Sequence, residues 1–181
     1  MQYETKEVTL KNGKNAVFRS PVPEDAPQML TYLRTTAAES VYLLRYPEEC
    51  TMTVEQETAF LQRVNESPAD VMIVCFVDGV LAGNCKLSMK TRFKTRHRGE
   101  VAIAIEQAYW NLGIGTAMFE EMIAIARSHG LTQLELAFIE GNDRAKHLYE
   151  KMGFSVVSAM PNAIRLKDGT MLKEFFMVKC L

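Results

Sequence analysis

One segment, residues 109–117, limits the fold of this chain more than any other, because it joins a strand-like run to a helical pattern through two glycines. The alternating apolar run of residues 101–105 precedes it, and apolar side chains from Met118 to Ala126 recur at the period of an α-helix. At Gly113 and Gly115 the backbone can turn tightly and approach a ligand. Unpaired N–H groups at a helix N-terminus attract anions. The sequence therefore predicts a strand–turn–helix unit that binds phosphate or pyrophosphate.

Spacing excludes two common phosphate-binding motifs from this segment. No Lys-Ser or Lys-Thr pair follows the glycines as a P-loop requires. Met118 stands where a dinucleotide-binding fingerprint would place its third glycine. A glycine-rich turn that only starts a helix is the alternative interpretation.

The composition predicts one domain, 1–181, without a nucleic-acid or membrane partner. The 181 residues are 48% hydrophobic, which is enough to bury a core. The net charge of −1 provides no field that would favour nucleic acid or a membrane surface. No apolar run nears the ~18 residues that a membrane helix needs, and the N-terminus lacks the apolar region of a signal peptide. We expect a cytoplasmic protein.

The cysteines and histidines do not predict a metal site. The four cysteines show no C-x-x-C spacing, and the three histidines are scattered. We therefore expect reduced thiols and no bound metal.

Turn signals and hydrophobic periodicity predict an alternation of strands and helices around a central mixed sheet. Hairpin turns are predicted at three pairs, Asn12-Gly13, Asp78-Gly79 and Asp168-Gly169. Helices are predicted from Pro23, from a capping box of Thr53 and Gln56, after the two central glycines, and over 143–152. The basic segment 90–98 is predicted to be a solvated connector, with contact to a ribose phosphate or an acidic partner as alternatives.

A second motif lies further along the chain, after a strand-like run at 134–139. Asn142 can cap the helix that follows, and Gly153 can end it. The two motifs together resemble those of the GNAT superfamily of acetyl-CoA-dependent N-acetyltransferases. Trp110-Asn111-Leu112-Gly113-Ile114-Gly115 matches the pyrophosphate motif Q/R-x-x-G-x-G/A, and the second motif is matched by Asn142, Ala145, Tyr149, Glu150, Lys151, Gly153 and Phe154. Trp110 departs from the usual Gln or Arg, which removes one polar contact near the pyrophosphate.

The resemblance implies an α/β (α+β) fold of the GNAT type. Its central mixed sheet is largely antiparallel, is splayed between the fourth and fifth core strands, and is flanked by about four helices. It also implies acetyl-CoA as the co-substrate, held by backbone N–H groups of the strand before the turn and of the turn itself. The predicted cofactor-binding residues are Ile103, Ile105, Leu112, Gly113, Ile114, Gly115, Thr116, Asn142 and Tyr149.

Acetyl transfer to an amine requires that the acceptor lose a proton and that the leaving thiolate be stabilised. Tyr149 matches the family tyrosine near the thiolate sulfur and is the predicted acid, with a packing tyrosine as the alternative. Glu100 opens the strand that the thioester would follow and is the predicted base. Glu106, at the other end of that strand, is the alternative base.

We expect an enzyme that moves the acetyl group of acetyl-CoA to a primary amine by direct attack in a ternary complex. The acceptor is a small-molecule amine or a protein or peptide amine, and the resemblance places its binding site at the first two helices and their joining loop. That loop pairs carboxylates with aromatic and apolar side chains, at Glu39, Tyr42, Leu43, Tyr46, Glu48 and Glu49. Such pairs suit a cationic amine, with an ordinary amphipathic surface as the alternative. A catalytically silent acetyl-CoA sensor of the same fold is the alternative. Assembly as a homodimer is left open.

Overall fold

The computed structural model describes residues 1–181. They form eight β-strands and four α-helices. The strands are β1 (Lys6–Thr9), β2 (Asn15–Arg19), β3 (Asp70–Val77), β4 (Val80–Met89), β5 (Arg98–Ile105), β6 (Gln133–Ile139), β7 (Ser155–Arg165) and β8 (Met171–Cys180). The helices are α1 (Ala26–Glu39), α2 (Val54–Glu66), α3 (Ile114–Ser128) and α4 (Asp143–Lys151).

The strands form one open, mixed sheet in the order β1-β2-β3-β4-β5-β6-β8-β7. Five neighbouring pairs, β1–β2, β2–β3, β3–β4, β6–β8 and β7–β8, are antiparallel, whereas β5 runs parallel to β6. The parallel pairing is confined to Arg98–Glu100 opposite Gln133–Glu135. If the short β1 is left out of the count, β5 and β6 are the fourth and fifth core strands, where the splay is predicted. The predicted fold class is confirmed.

Two compact units divide the chain. The first contains residues 1–88 and 102–118, and the second contains residues 89–101 and 119–181. Both β5 and α3 run from one unit into the other, since the boundaries fall inside them. The assignment of 1–181 to a single domain stays a prediction.

The core of the first unit lies where α1 and α2 contribute apolar side chains beside β3. Every residue of β3 after Asp70 is buried, and Met72, Val74 and Phe76 share a cluster with Met29 of α1 and Leu61 of α2. The predicted capping box begins α2, because the Thr53 N–H donates to the Gln56 side chain and the Gln56 N–H donates to the Thr53 hydroxyl.

The second unit differs from the sequence prediction at two boundaries. Arg98, placed in the basic connector by its charge, is the first residue of β5 and is ion-paired with Glu135 of β6. The sequence predicts a strand over 154–159, whereas β7 continues to Arg165, although its side chains are mostly exposed. Its length comes from pairing with β8, which an exposed pattern does not reveal.

None of the helices is both long and apolar enough to cross a membrane. The cytoplasmic location and the homodimer stay predictions. No three His, Cys, Asp or Glu side chains are arranged to hold a metal ion.

Candidate functional site

The predicted anion-binding turn lies in the first unit, directly before α3. Asn111 has φ 65° and Gly113 has φ 94°, so two residues of the turn lie in the left-handed region. Asparagine tolerates this region, but at φ 94° only glycine avoids strain, which explains Gly113. Gly115 lies inside the first turn of α3 and does not have a positive φ. The backbone conformation therefore requires glycine at position 113, whereas the glycine at position 115 needs another explanation.

Backbone donors gather where this turn enters α3. The first helical bond runs from the Ala117 N–H to the Gly113 carbonyl, at 3.1 Å. The N–H groups of Ile114 and Gly115 precede that bond, at the positive end of the helix dipole. Leu112, Ile114 and Thr116 lie at or just before the start of α3, and their part in binding a pyrophosphate stays a prediction.

Trp110 fastens the turn to the end of β5. Its indole N–H donates to the carbonyl of Ile105 at 2.7 Å. Ile105 and Ile103 are both partly buried near the end of this strand. Nearby, the Tyr32 hydroxyl lies 2.8 Å from the Ala104 carbonyl and 2.9 Å from Asn84 Oδ1. The end of β5 is therefore held by side chains from α1 and from the turn.

Glu106 follows β5 and lies at an open pocket of about 250 Å³ in the first unit. The pocket is also lined by Pro27, Gln28, Thr31, Tyr32, Val80 and Leu81. Burial and the nearby Glu39 both raise the pKa of Glu106 above the ordinary glutamate value. Glu39 is held in place because its carboxylate accepts from the Gln107 N–H at 2.9 Å, while the Gln107 side-chain amide donates to its carbonyl at 2.7 Å.

Glu100 belongs to the second unit and has different surroundings. Its carboxylate lies 3.0 Å from the Lys90 ammonium, and its side chain is 60% exposed. The structure thus places one candidate base in a solvated ion pair and the other at a pocket.

Tyr149 lies on α4 in the second unit, within an aromatic cluster. Its ring meets Phe119 edge-on at 5.5 Å and Phe138 at 6.2 Å between centroids, and Phe154 lies at 6.5 Å. Burial raises the pKa of Tyr149 to about 12, so the phenol is protonated at neutral pH. The residue is 8% exposed, and its hydroxyl has no hydrogen-bond partner in the protein. The ring therefore packs in the aromatic cluster, whereas the hydroxyl is available to bind a ligand.

Asn142 begins α4 and caps it, because its side-chain oxygen accepts from the Ala145 N–H at 3.2 Å. The amide nitrogen is a separate donor, so capping does not conflict with the predicted cofactor contact.

Sequence reasoning missed Tyr32, although its hydroxyl fixes the Ala104 carbonyl. Tyr32 continues the apolar stripe that includes Met29, and it is 1% exposed. Its pattern is therefore that of a packing residue, and only the contact across 72 positions reveals the polar role.

Comparison with protein families identifies one over much of this chain. Residues 36–154 match the model of the acetyltransferase (GNAT) family. This range is more than half of the chain and contains every predicted site residue.

Two curated relatives are similar to about two thirds of this chain. A mycothiol acetyltransferase of Propionibacterium freudenreichii is 29% identical over 67% of this chain, and the match spans only 39% of that relative. An L-amino acid N-acetyltransferase of Escherichia coli is 22% identical over 65% of this chain and 73% of its own length.

Solved structures share the fold over nearly the whole chain. An acetyltransferase of the GNAT family from Streptococcus pneumoniae has a TM-score of 0.85 at 26% identity, covering 92% of this chain and 99% of that one. A phosphinothricin acetyltransferase from Sinorhizobium meliloti, solved with acetyl-CoA, has a TM-score of 0.79 at 18% identity, covering 96% of this chain and 89% of that one.

Proposed function

Because the chain belongs to the GNAT acetyltransferase family and is an acetyl-CoA-dependent acyltransferase, we propose that it transfers the acetyl group to a primary amine by direct attack in a ternary complex. The observation that carries the proposal is the left-handed turn at Gly113, which presents the N-terminus of α3 after β5 and a short 3₁₀ helix, Gln107–Tyr109. Acetyl-CoA supplies the activated thioester, and the residues of this chain bind it, orient it and handle the protons.

The turn suits the pyrophosphate of acetyl-CoA for two reasons. Its N–H groups and the helix dipole offset negative charge without a buried side-chain cation. The missing side chain at Gly115, which the local backbone does not require, allows a phosphate to approach the first turn of α3. Ile103 and Ile105 would position the pantetheine arm along the end of β5.

Glu106 is the base that this geometry favours. An amine acceptor arrives as an ammonium and must lose a proton before its nitrogen can attack. Glu106 lies at a pocket, and its raised pKa brings it nearer to the range where a carboxylate accepts such a proton. Glu100 remains the alternative, although its carboxylate is already paired with Lys90.

Tyr149 serves the leaving group. Because its pKa is raised to about 12, the phenol keeps its proton while negative charge develops on the sulfur. At that point the hydroxyl can donate a hydrogen bond to the sulfur and stabilise the departing thiolate, which takes its proton from solvent. Asn142 would contact the pantetheine with the amide nitrogen that capping does not use.

We propose that the acceptor is a small-molecule amine. The open pocket of about 250 Å³ beside the Glu106 carboxylate has room for a compact cation. The activity of the E. coli relative on L-amino acids makes them the first acceptors to try.

A panel of amines tests the proposal, with released CoA thiol and acetylated amine measured together. The panel contains L-amino acids, polyamines and lysine-containing peptides. We expect release in equal amounts with at least one amine. Tight acetyl-CoA binding without transfer to any amine would instead indicate the silent sensor.

A further inference from the structure

Lys11, in the turn of the β1–β2 hairpin, contacts the turn at residues 110–113, which we call the pyrophosphate turn. The Lys11 N–H donates to the carbonyl of Leu112 at 3.0 Å, which ties the hairpin to the residue before Gly113. The side chain follows the same course, because a Cβ built on Gly113 would lie 3.6 Å from Lys11 Cγ and 3.8 Å from Lys11 Cε. The ammonium is one bond beyond Cε and lies more than 4 Å from that Cβ position, where it can reach a ligand bound at the turn.

Lys11 is the lysine of this hairpin turn that no carboxylate neutralises. Its side chain is exposed and forms no ion pair. The other lysine, Lys14, lies 2.6 Å from Asp78, and the hydrogen bond to that carboxylate raises the pKa of Lys14. In this hairpin turn Lys14 is therefore already paired with Asp78, whereas Lys11 is available to an anion at the Gly113 turn.

The pyrophosphate turn lacks a side-chain cation of its own. Trp110 stands where the resembling motif has Gln or Arg, and its one N–H is used by the Ile105 carbonyl. The backbone donors offer only the partial charge of a helix terminus, about half an elementary charge. A pyrophosphate carries more negative charge than that.

We propose that Lys11 binds the pyrophosphate of acetyl-CoA and supplies the side-chain charge that the motif of this chain lacks. The inference rests on the proposed function, because it requires acetyl-CoA at the Gly113 turn. An ammonium and a phosphate oxygen form a charge-assisted hydrogen bond. The backbone bond to Leu112 holds the residue beside Gly113, so its side chain starts close to the turn where the ligand would bind.

Calorimetric titration of the full chain with CoA tests this assignment. Lys11→Met keeps the stem along Gly113 and removes the ammonium, and we expect about tenfold weaker binding. Lys11→Arg should retain most of the parent affinity because it keeps the charge. Lys14→Met is the matched control, since it removes a lysine of the same hairpin turn that is already paired, and it should stay within about twofold of the parent. The loss in Lys11→Met should shrink in high salt, which screens exposed charges.

Dephospho-CoA identifies the phosphate, because it keeps the pyrophosphate and lacks the ribose phosphate. We expect the same loss in Lys11→Met with this ligand. A loss that vanishes with dephospho-CoA would place Lys11 at the ribose phosphate and overturn the assignment. Equal affinity of parent and Lys11→Met, or equal losses in Lys11→Met and Lys14→Met, would overturn it as well.

Failure of the proposed function has a different signature. A parent protein that binds no CoA contradicts both proposals. A parent that binds CoA, loses affinity in Lys11→Met and transfers no acetyl group contradicts only the proposed function.

Discussion

At the scale of single residues, the two candidate bases differ in what surrounds their carboxylates. Glu100 is exposed and paired with Lys90, whereas Glu106 is partly buried at a pocket and lies near Glu39. Burial and a second carboxylate both disfavour the charged form of Glu106 and so raise its pKa. A base with a raised pKa takes a proton from an ammonium more readily.

We therefore expect Glu106→Gln to lower kcat/KM for the amine by about a hundredfold at pH 7. The defect should shrink as the pH approaches the pKa of the amine, because free amine then becomes abundant. Parallel pH–rate profiles of the parent, Glu106→Gln and Glu100→Gln measure this effect. A defect independent of pH, or one confined to Glu100→Gln, would exclude Glu106 as the base.

Stability provides the control for the Glu106 variant. Because its pKa is raised in the folded protein, this carboxyl contributes stability below its unfolded pKa, and the contribution is lost as the pH rises through the folded pKa. At neutral pH the charged carboxylate therefore adds nothing, and Glu106→Gln should melt no lower than the parent. A clearly lower Tm at pH 7 would mean that lost activity reports misfolding rather than lost catalysis.

Tyr149→Phe separates the ring of this residue from its hydroxyl. The ring cluster with Phe119 and Phe138 survives the change, and the hydroxyl has no protein partner, so Tm should stay the same. We expect kcat to fall at least about tenfold while KM for acetyl-CoA stays within about twofold. Since the pKa of Tyr149 is about 12, its contribution should persist at pH values where an ordinary tyrosine, with a pKa of about 10, ionises. An unchanged kcat would leave Tyr149 with packing alone.

At the scale of elements, the turn between β5 and α3 assigns different reasons to its two glycines. Gly113 has φ 94°, so an L side chain there is strained even though the neighbouring Lys11 leaves ordinary contact distance. Gly115 is helical and tolerates a side chain as far as the backbone is concerned. The first glycine shapes the turn, and we propose that the second leaves space for acetyl-CoA.

This difference predicts that a substitution at Gly113 lowers stability, whereas a substitution at Gly115 lowers acetyl-CoA affinity. Gly113→Ala should lower stability by about 1–2 kcal/mol, because alanine pays for a positive φ. Gly115→Asp should keep the fold but lose at least tenfold in acetyl-CoA affinity, about 1.4 kcal/mol, since it adds a carboxylate where the pyrophosphate would lie. Thermal melts and calorimetry measure the two effects. Full acetyl-CoA affinity in a folded Gly115→Asp protein would remove the pyrophosphate from this turn.

At the scale of the whole molecule, the features that the sequence predicted correctly are those encoded locally. The capping box of α2, the strand–turn–helix unit around Gly113 and the cap at Asn142 each depend on residues only a few positions apart. The fold class followed from the order of these units together with the resemblance, and the family match and the solved structures confirm it.

Features that depend on distant residues were not predictable from the sequence. The contacts of Glu39 with Gln107 join positions 68 residues apart, and those of Tyr32 with Ala104 join positions 72 residues apart. No periodicity encodes such pairs. For the same reason the sequence could not distinguish Glu100 from Glu106, because each is a glutamate at a strand end and only the folded surroundings differ.

The central claim is direct acetyl transfer from acetyl-CoA to an amine, and pre-incubation with acetyl-CoA tests it most directly. Released CoA thiol and the intact protein mass are followed before and after an acceptor is added. We predict no thiol release and no acetylated protein before addition, then release that equals the acetylated amine. Stoichiometric thiol release with an acetylated protein before any amine is present would contradict direct attack. Acetyl-CoA that stays bound and unreacted with every amine tested would contradict acetyl transfer itself.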